Sequence, residues 1–273
     1  MTTETITKLH ESNRAAWNEG AIRYAEEVES DIHFLRDGGA NFCPPEFPYL
    51  QDLEQWCGRA IHLQCAGGRD TLSLWNVGAK EVVGIDISDT MIECAQRKSE
   101  ALQAPATWYR SDVLQTPIEL DGTADLVYTG RGALIWIMYI DAWATVPARL
   151  LKPGGALYIF DGHPLTWVWD ADADHYKLDA RYGNYFSTTV EPEQGWSPNY
   201  IGDIGVPTEQ QVVKYERQWN LGQIVSAVAA AGLRIERLEE HGETYWDQFP
   251  QMLPELVGRL PNTFSLLARK PEA

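Results

Sequence analysis

Between positions 60 and 160, short runs of apolar residues alternate with longer stretches in which apolar positions recur every three to four residues. The short runs have the length of buried strands and the longer stretches have the period of helices packed on one face. This predicts strands at 60–64, 81–85, 106–109, 124–128 and 156–160. Helices are predicted at 69–77, from Ser88 (a good N-cap) to about 102, and at 137–151. Asp70 falls in the first turn of the first of these helices, and Gly67-Gly68 separates that helix from the strand before it. Lys152-Pro153-Gly154-Gly155 forms a turn that no helix can continue. Strands alternating with helices at this spacing predict a parallel sheet covered on both faces.

Upstream, Leu9, Trp17, Ala21 and Tyr24 fall roughly on one face, which predicts a helix over residues 5–29. The alternating rhythm fails at 163–218, where Trp167, Trp169, Tyr176, Tyr182, Tyr185, Trp196, Tyr200 and Tyr215 are scattered among acids. That segment reads as an insertion of irregular or antiparallel structure. A helix at 221–231, stopped by Gly232, and strands at 233–239 and 263–268 then return to the sheet, the final strands pairing antiparallel. The organisation is therefore an N-terminal helical cap (1–45), an α/β core (46–162), a lid (163–218) and the remainder of the core sheet (219–273).

Composition narrows the function. The 273 residues carry 22 Lys and Arg against 39 Asp and Glu, a formal charge of −17. Such a surface repels nucleic-acid backbones and anionic lipid, so neither partner is expected. No run approaches the ~18 apolar residues of a membrane span, and the polar start MTTETITKLHESNR has no signal-peptide core. Cys43, Cys57, Cys65 and Cys94 form no CxxC pair, which fits reduced thiols and a cytoplasmic location. The His, Cys and Asp spacings match no metal site. The 11 Trp and 12 Tyr outnumber the 7 Phe, a bias toward half-wet pockets and interfaces.

Ligands of open α/β sheets bind beyond the carboxyl ends of the strands, and three features sit there. Cys65-Ala66-Gly67-Gly68 follows the first strand, with small residues that let the backbone approach a ligand. Asp86 ends the second strand, 18 residues after Gly68, where a carboxylate can accept from both ribose hydroxyls. Asp112 follows the third strand, placed for an adenine amino group. Singly, these read as a turn and two cap residues. In this order and spacing they point to a cofactor carrying adenine and ribose.

The segments His62 to Leu72, Val83-Gly84-Ile85-Asp86-Ile87-Ser88, Ser111-Asp112-Val113 and Leu150-Leu151-Lys152-Pro153-Gly154-Gly155 resemble the signature of class I S-adenosylmethionine-dependent methyltransferases. The resemblance covers about residues 13–160 and, more weakly, the tail from 219. Asn13-Arg14-Ala15-Ala16-Trp17-Asn18 is similar to the first helix of one small-molecule branch. The family pattern has an acid at the position of His62 and glycines at those of Gln64 and Ala66, so this chain departs from it in the first loop and keeps only Gly68 of the glycines.

The resemblance implies a Rossmann-like, seven-stranded mixed sheet with the last strand antiparallel, and S-adenosylmethionine as cofactor. By position, Asp86 would hold the ribose, and Ile87 would pack on the adenine face, with Met91 completing the cofactor set. Asp112 would take the adenine N6 with Val113 beside it. Cys65, Ala66, Gly67 and Gly68 would contact the methionine part through their backbone. Thr129 and Gly130 would lie near the sulfonium, and Tyr24 or Arg131 would reach the methionine carboxylate. Arg131 is equally readable as half of a surface ion pair.

Methyl transfer from a sulfonium requires alignment above all, and a base only for a protonated acceptor. His163 is the best-placed base and His241 the second, while Asp161 would orient the loop. Trp167, Trp169, Tyr182, Tyr185 and Trp196 form either an acceptor box, open to aromatic, apolar or cationic molecules, or the lid's own core, or a homodimer contact. The expected activity is methylation of a small molecule at N, O or C. The alternatives are a nicotinamide-dependent oxidoreductase on a Rossmann sheet, or a protein that binds S-adenosylmethionine without methylating.

Overall fold

A computed structural model describes residues 1–197 and 199–272. The chain begins with three consecutive helices, α1 (Thr3–Gly20), α2 (Ile22–Glu26) and α3 (Val28–Arg36), followed by the single turn α4 (Phe47–Leu50). Strand β1 (Arg59–Leu63), helix α5 (Arg69–Asn76), strand β2 (Glu81–Asp86), helix α6 (Asp89–Leu102) and strand β3 (Ala106–Arg110) come next. The core continues with β4 (Ala124–Gly130), α7 (Ile140–Leu150) and β5 (Leu151–Gly162). The insertion contributes β6 (Val190–Glu193) and β7 (Lys214–Arg217). Helix α8 (Leu221–Ala230), β8 (Arg234–His241), the turn α9 (Pro254–Val257) and β9 (Thr263–Arg269) complete the chain.

Seven strands form one sheet in the order β3-β2-β1-β4-β5-β9-β8. β1 to β5 pair parallel, and β9 runs antiparallel to both of its neighbours. β8 therefore points the same way as the first five, and its carboxyl end lies at the ligand-binding edge. β6 and β7 form a separate antiparallel pair.

Alternation along the strands builds a core on each face. Val127, Leu157 and Ile159 pack with Trp143 of α7 and Val228 of α8 on one side. Leu126, Tyr128, Tyr158 and Phe160 pack with Leu35, Leu50 and Leu72 on the other. Both faces are covered, which is what a parallel sheet requires.

Three expectations change. The helix expected over 5–29 is three helices that break at Ala21 and Glu27. The face that α1 buries includes His10 and Asn13 alongside Ile6 and Ala16, because those two polar groups have partners elsewhere. The helix expected from 137 starts at Ile140, after a 3₁₀ turn at Leu134–Trp136. Lys152-Pro153-Gly154-Gly155 is not a separate loop but a bulge in β5: pairing slips between Ala124↔Leu151 and Leu126↔Ala156, with Gly154 at φ 77°. Ser88 caps α6 as expected, its hydroxyl accepting from the Met91 amide at 3.2 Å.

α1 ties the lid to the core. The Asn13 side chain donates to the Tyr215 carbonyl (2.9 Å) and accepts from the Tyr215 amide (2.6 Å), as a strand neighbour would. Arg14 and Asn18 reach Asp89 at the start of α6. All four cysteines are free thiols. Among the described residues no helix is long and apolar enough to cross a membrane.

Between α3 and α6 the Lys98 ammonium is fully buried, 2.7 Å from Asp31 and donating to the Gly67 carbonyl at 2.8 Å. Removing one partner of a buried ion pair leaves the other charge uncompensated, at a cost of roughly 3 kcal/mol or more. Lys98→Ala is therefore expected to lower the unfolding free energy by about 3 kcal/mol in urea denaturation. A loss under about 1 kcal/mol, the scale of an exposed pair, would show that the pair does not carry this load.

Candidate functional site

Beyond the carboxyl ends of β1, β2 and β4 lies a cavity of about 280 Å³. Its floor is the loop after β1, where Gln64, Ala66 and Gly68 all adopt left-handed φ values (59°, 44° and 80°). This geometry explains the glycines of the family pattern at positions 64 and 66. Here two residues with side chains take it, at a cost of roughly 1–2 kcal/mol each. Gly68 could not be replaced without displacement, since a Cβ there would lie 2.6 Å from the Ala95 Cβ.

Three contacts hold the strained loop. The Ala66 amide donates to Asp86 Oδ2 at 2.8 Å, Lys98 donates to the Gly67 carbonyl, and Gln64 Nε2 donates to the Ala133 carbonyl at 2.7 Å. Asp86 Oδ1 also accepts the Ser88 amide at 2.9 Å. Burial pushes the Asp86 carboxyl up to about 6, opposed by these backbone donors. Each oxygen keeps acceptor capacity for one more donor.

His10 of α1 donates from Nδ1 to Asp112 Oδ2 at 2.7 Å. Its Nε2 accepts the Met138 amide at 3.3 Å, which sets this tautomer. Asp112 Oδ1 accepts the Leu114 amide at 2.9 Å, so Asp112 is doubly anchored while it lines the cavity.

At the fourth strand the backbone turns through left-handed Arg131 and Gly132. Buried Asp161 secures this turn by accepting the amides of Gly132, Leu134 (3.0 Å) and Gly162 (2.7 Å). The Arg131 guanidinium is paired with Glu46 at 2.6 Å and Asp70 at 3.4 Å and also donates to the Asn41 carbonyl. Its charge is thus taken up by protein groups at the cavity wall. His62 stands where the family pattern has an acid. It is buried against Thr71 (2.8 Å), and burial pushes its proton affinity down to about 4. It is a neutral ring.

Tyr24, Cys65, Ala66, Gly67, Gly68, Asp86, Ile87, Met91, Asp112, Val113, Gly130 and Arg131 all line this one cavity. Thr129 does not. It is fully buried and donates to the Leu63 carbonyl at 3.1 Å, tying β4 to β1.

A second cavity, of about 390 Å³, is lined by Trp136, Trp167, Trp196, Tyr200, Tyr245 and Trp246, with Glu193, Lys214 and Glu216. The two cavities share Gly132, Trp136, Tyr200 and Tyr245, so they meet at the turn after β4. Trp17 packs on Trp136 (5.3 Å) and Trp196 (4.6 Å), joining cap, core and lid in one aromatic cluster.

Of the lid rings expected at the acceptor, Trp167 and Trp196 reach the second cavity and three do not. Trp169 packs on Tyr176 at 5.1 Å, Tyr182 lies under Arg181, and Tyr185 packs on Phe186 with its hydroxyl accepting the Leu221 amide. The lid is thus partly a wall and partly its own small core. His163, the expected base, lines neither cavity. Its Nδ1 accepts the Leu165 amide at 3.1 Å and its Nε2 faces Glu240 at 2.9 Å, so it caps the turn after β5. His241 is bonded to Ser265 at 2.9 Å.

Sequence reasoning missed His10, Lys98, Trp136, Tyr245, Trp246 and Glu216. Tyr245 and Trp246 could have been found by the rule that identified Asp86, since they follow the carboxyl end of another forward-running strand. His10 and Lys98 leave no pattern, because each is a polar residue buried by a distant partner. No group of three or more His, Cys, Asp or Glu among the described residues is arranged to hold a metal ion.

The strand order, with a single reversed strand and a ligand-sized cavity at the carboxyl edge, defines the fold of the class I S-adenosylmethionine-dependent methyltransferases. Residues 60–155 match the family model described as a methyltransferase domain. An S-adenosylmethionine-dependent methyltransferase from Mesorhizobium loti superposes with a TM-score of 0.56 at 23% identity, over 82% of this chain and 97% of that one. A Listeria monocytogenes protein assigned to the same class superposes at 0.60 with 19% identity, over 83% and 98%. The geranyl diphosphate C-methyltransferase of Streptomyces coelicolor superposes at 0.55 with 14% identity, over 83% and 78%. At these identities the likeness is one of fold. No curated protein matches the sequence.

Ala66 is the loop residue whose side chain makes the case for strain. Ala66→Gly removes the Cβ from a left-handed position, and the gain exceeds the extra chain entropy that glycine brings to the unfolded state. Stability is expected to rise by about 0.5–1 kcal/mol, read as a thermal midpoint higher by roughly 1–2 °C. A lower midpoint would mean that the loop is relaxed around alanine.

Proposed function

We propose that this chain is an S-adenosylmethionine-dependent methyltransferase acting on a small-molecule acceptor. The observation that carries the reading is the pair of cavities meeting at Gly132, Trp136, Tyr200 and Tyr245, one built around Asp86 and the strained loop, the other walled by aromatic rings. The first has what an adenosyl cofactor needs. Asp86 offers a carboxylate with spare acceptor capacity to the ribose hydroxyls. Ile87, Met91 and Val113 offer apolar sides to the adenine, with Asp112 at its edge. Gly67 leaves the loop open beside Tyr24, and a Cβ there would fill the space toward Tyr24 and Lys98.

S-adenosylmethionine supplies an activated methyl group on a sulfonium. The protein's own contribution is alignment and exclusion of water. Trp17, Trp136 and Trp196 close the junction of the cavities, and the Asp161 clamp fixes the turn between them. A location with reduced thiols suits the four free cysteines. A nicotinamide-dependent oxidation is disfavoured because the matched domain is a methyltransferase domain and the loop after β1 lacks G-x-G-x-x-G.

Titration calorimetry with S-adenosylhomocysteine tests the cofactor reading directly, and absence of binding at millimolar concentration would refute it. Asp86→Ala is expected to weaken that binding by about 1–3 kcal/mol, the scale of lost hydrogen bonds to a charged group. Hydroxyls donate to the ionised carboxylate, and burial holds its proton to about pH 6. Affinity should therefore be full above that pH and fall as the pH drops below it. A pH profile that is the same with and without the Asp86 side chain would place the ribose elsewhere.

A further inference from the structure

The wall of the cavity beside the proposed cofactor site carries Glu216, a carboxylate with no direct partner among the described residues, near the Lys214 ammonium. β7 alternates, so Lys214 and Glu216 share the face turned to the cavity while Tyr215 and Arg217 take the other. Arg217 is spent on the Met138 carbonyl (2.8 Å) and on the face of Trp219 (3.9 Å). Lys214 donates to the Gly195 carbonyl and lies 4.9 Å over the Trp196 ring. Opposite on β6, Glu193 is paired with Arg181 at 2.9 Å. Among the described residues, the Glu216 carboxylate has neither a hydrogen-bond donor nor a cation close enough for an ion pair. It stands on the wall of a cavity that also presents Trp136, Trp167, Trp196 and Trp246.

Indole faces attract cations, and a carboxylate without a partner in such a cavity is costly unless a cation or a proton joins it. Burial pushes the Glu216 carboxyl up to about 7, with Lys214 and Arg181 lowering it and Glu193 raising it. We propose that the acceptor is a protonated amine, its ammonium held by Glu216 among the indole rings, and this rests on the methyltransferase reading above. An ammonium has no lone pair. One N–H proton passes to the Glu216 carboxylate and from there to water, and the N–H bonding pair stays on nitrogen as the lone pair that methylation requires. Glu216 thus serves as anchor and proton acceptor, the task expected of His163, which lies outside the cavity. An anionic acceptor would instead meet the unpartnered Glu216 carboxylate, since Glu193 is already paired with Arg181.

The probes are 2-phenylethylamine, cationic at neutral pH, and 2-phenylethanol, its neutral counterpart, each titrated by calorimetry with and without S-adenosylhomocysteine. The amine is expected to bind the wild-type protein about tenfold tighter or more, one tenfold step in affinity being ~1.4 kcal/mol. Glu216→Gln should abolish that preference and leave the affinities for the alcohol and for S-adenosylhomocysteine unchanged. Glu216→Asp should keep part of the preference, which separates charge from a disturbed lid. The proposal is overturned if the amine and the alcohol bind alike, if neither binds at millimolar concentration, or if the preference survives in Glu216→Gln. Failure of S-adenosylhomocysteine alone to bind would sink the cofactor reading, while the amine preference would still be measured without it.

Discussion

The loop after β1 is the constraint on which the site depends. Three of its five residues from Gln64 to Gly68 are left-handed, and two of those three carry side chains. Such a loop persists only where its surroundings over-determine it. Asp86 clamps it from β2, Lys98 from α6 and Gln64's own amide from the turn after β4. The clamp at Asp86 is also the carboxylate that faces the cavity. The carboxylate that organises the loop is therefore the one that the proposed ribose contact would use, and the Lys98–Asp31 pair extends the clamp to α3. The N-terminal helices thus supply part of the cavity wall.

The second cavity is assembled in a different way. Its walls come from the turn after β4, the lid hairpin and the segment after β8, which are far apart in the chain. They are brought together by α1, whose Asn13 pairs with Tyr215 and whose Trp17 meets Trp136 and Trp196. Each aromatic pair contributes roughly 0.5–1.5 kcal/mol beyond its burial. The surplus of Trp and Tyr therefore has two uses. Trp169, Tyr176 and Phe249 form a small core that gives the lid a shape, while Trp196 and Trp167 use that shape to wall a cavity.

Much of this could be read along the chain because it depends on local spacing. The strands carry apolar runs, Ser88 sits where a helix cap must sit, and Asp86 ends a strand, so the sheet and the residues at its carboxyl edge were legible. What was hidden depends on distant partners. His10 and Asn13 look like solvent-facing positions of α1 until Asp112 and Tyr215 arrive, which is why the cap was read as one helix with a different buried face. Arg131 reads equally as a ligand for a carboxylate or as half of an ion pair, and only Glu46 and Asp70, distant in the chain, show it paired. His163 reads as a base because it follows β5, yet its ring caps the next turn. Glu216 is one acid among many in an acidic lid, and only the alternation of β7 against a cavity distinguishes it.

Charge links the two cavities. Around the first, the ionisable wall holds Glu27, Asp31, Asp70, Asp86 and Asp112 against Arg69, Lys98 and Arg131. Each of those cations is already engaged, Lys98 and Arg69 with Asp31, and Arg131 with Glu46 and Asp70. The field inside is negative on balance, and a low-dielectric wall strengthens it. A sulfonium carries a positive charge that its demethylated product lacks. With S-adenosylmethionine bound as proposed, a wall of this sign would hold the charged donor more strongly than the neutral product, which would favour exchange of one for the other after transfer. In the second cavity the unpartnered Glu216 carboxylate is the group that the proposed ammonium would meet. The formal charge of −17 is thus more than a surface property, because carboxylates also stand on the walls of both cavities.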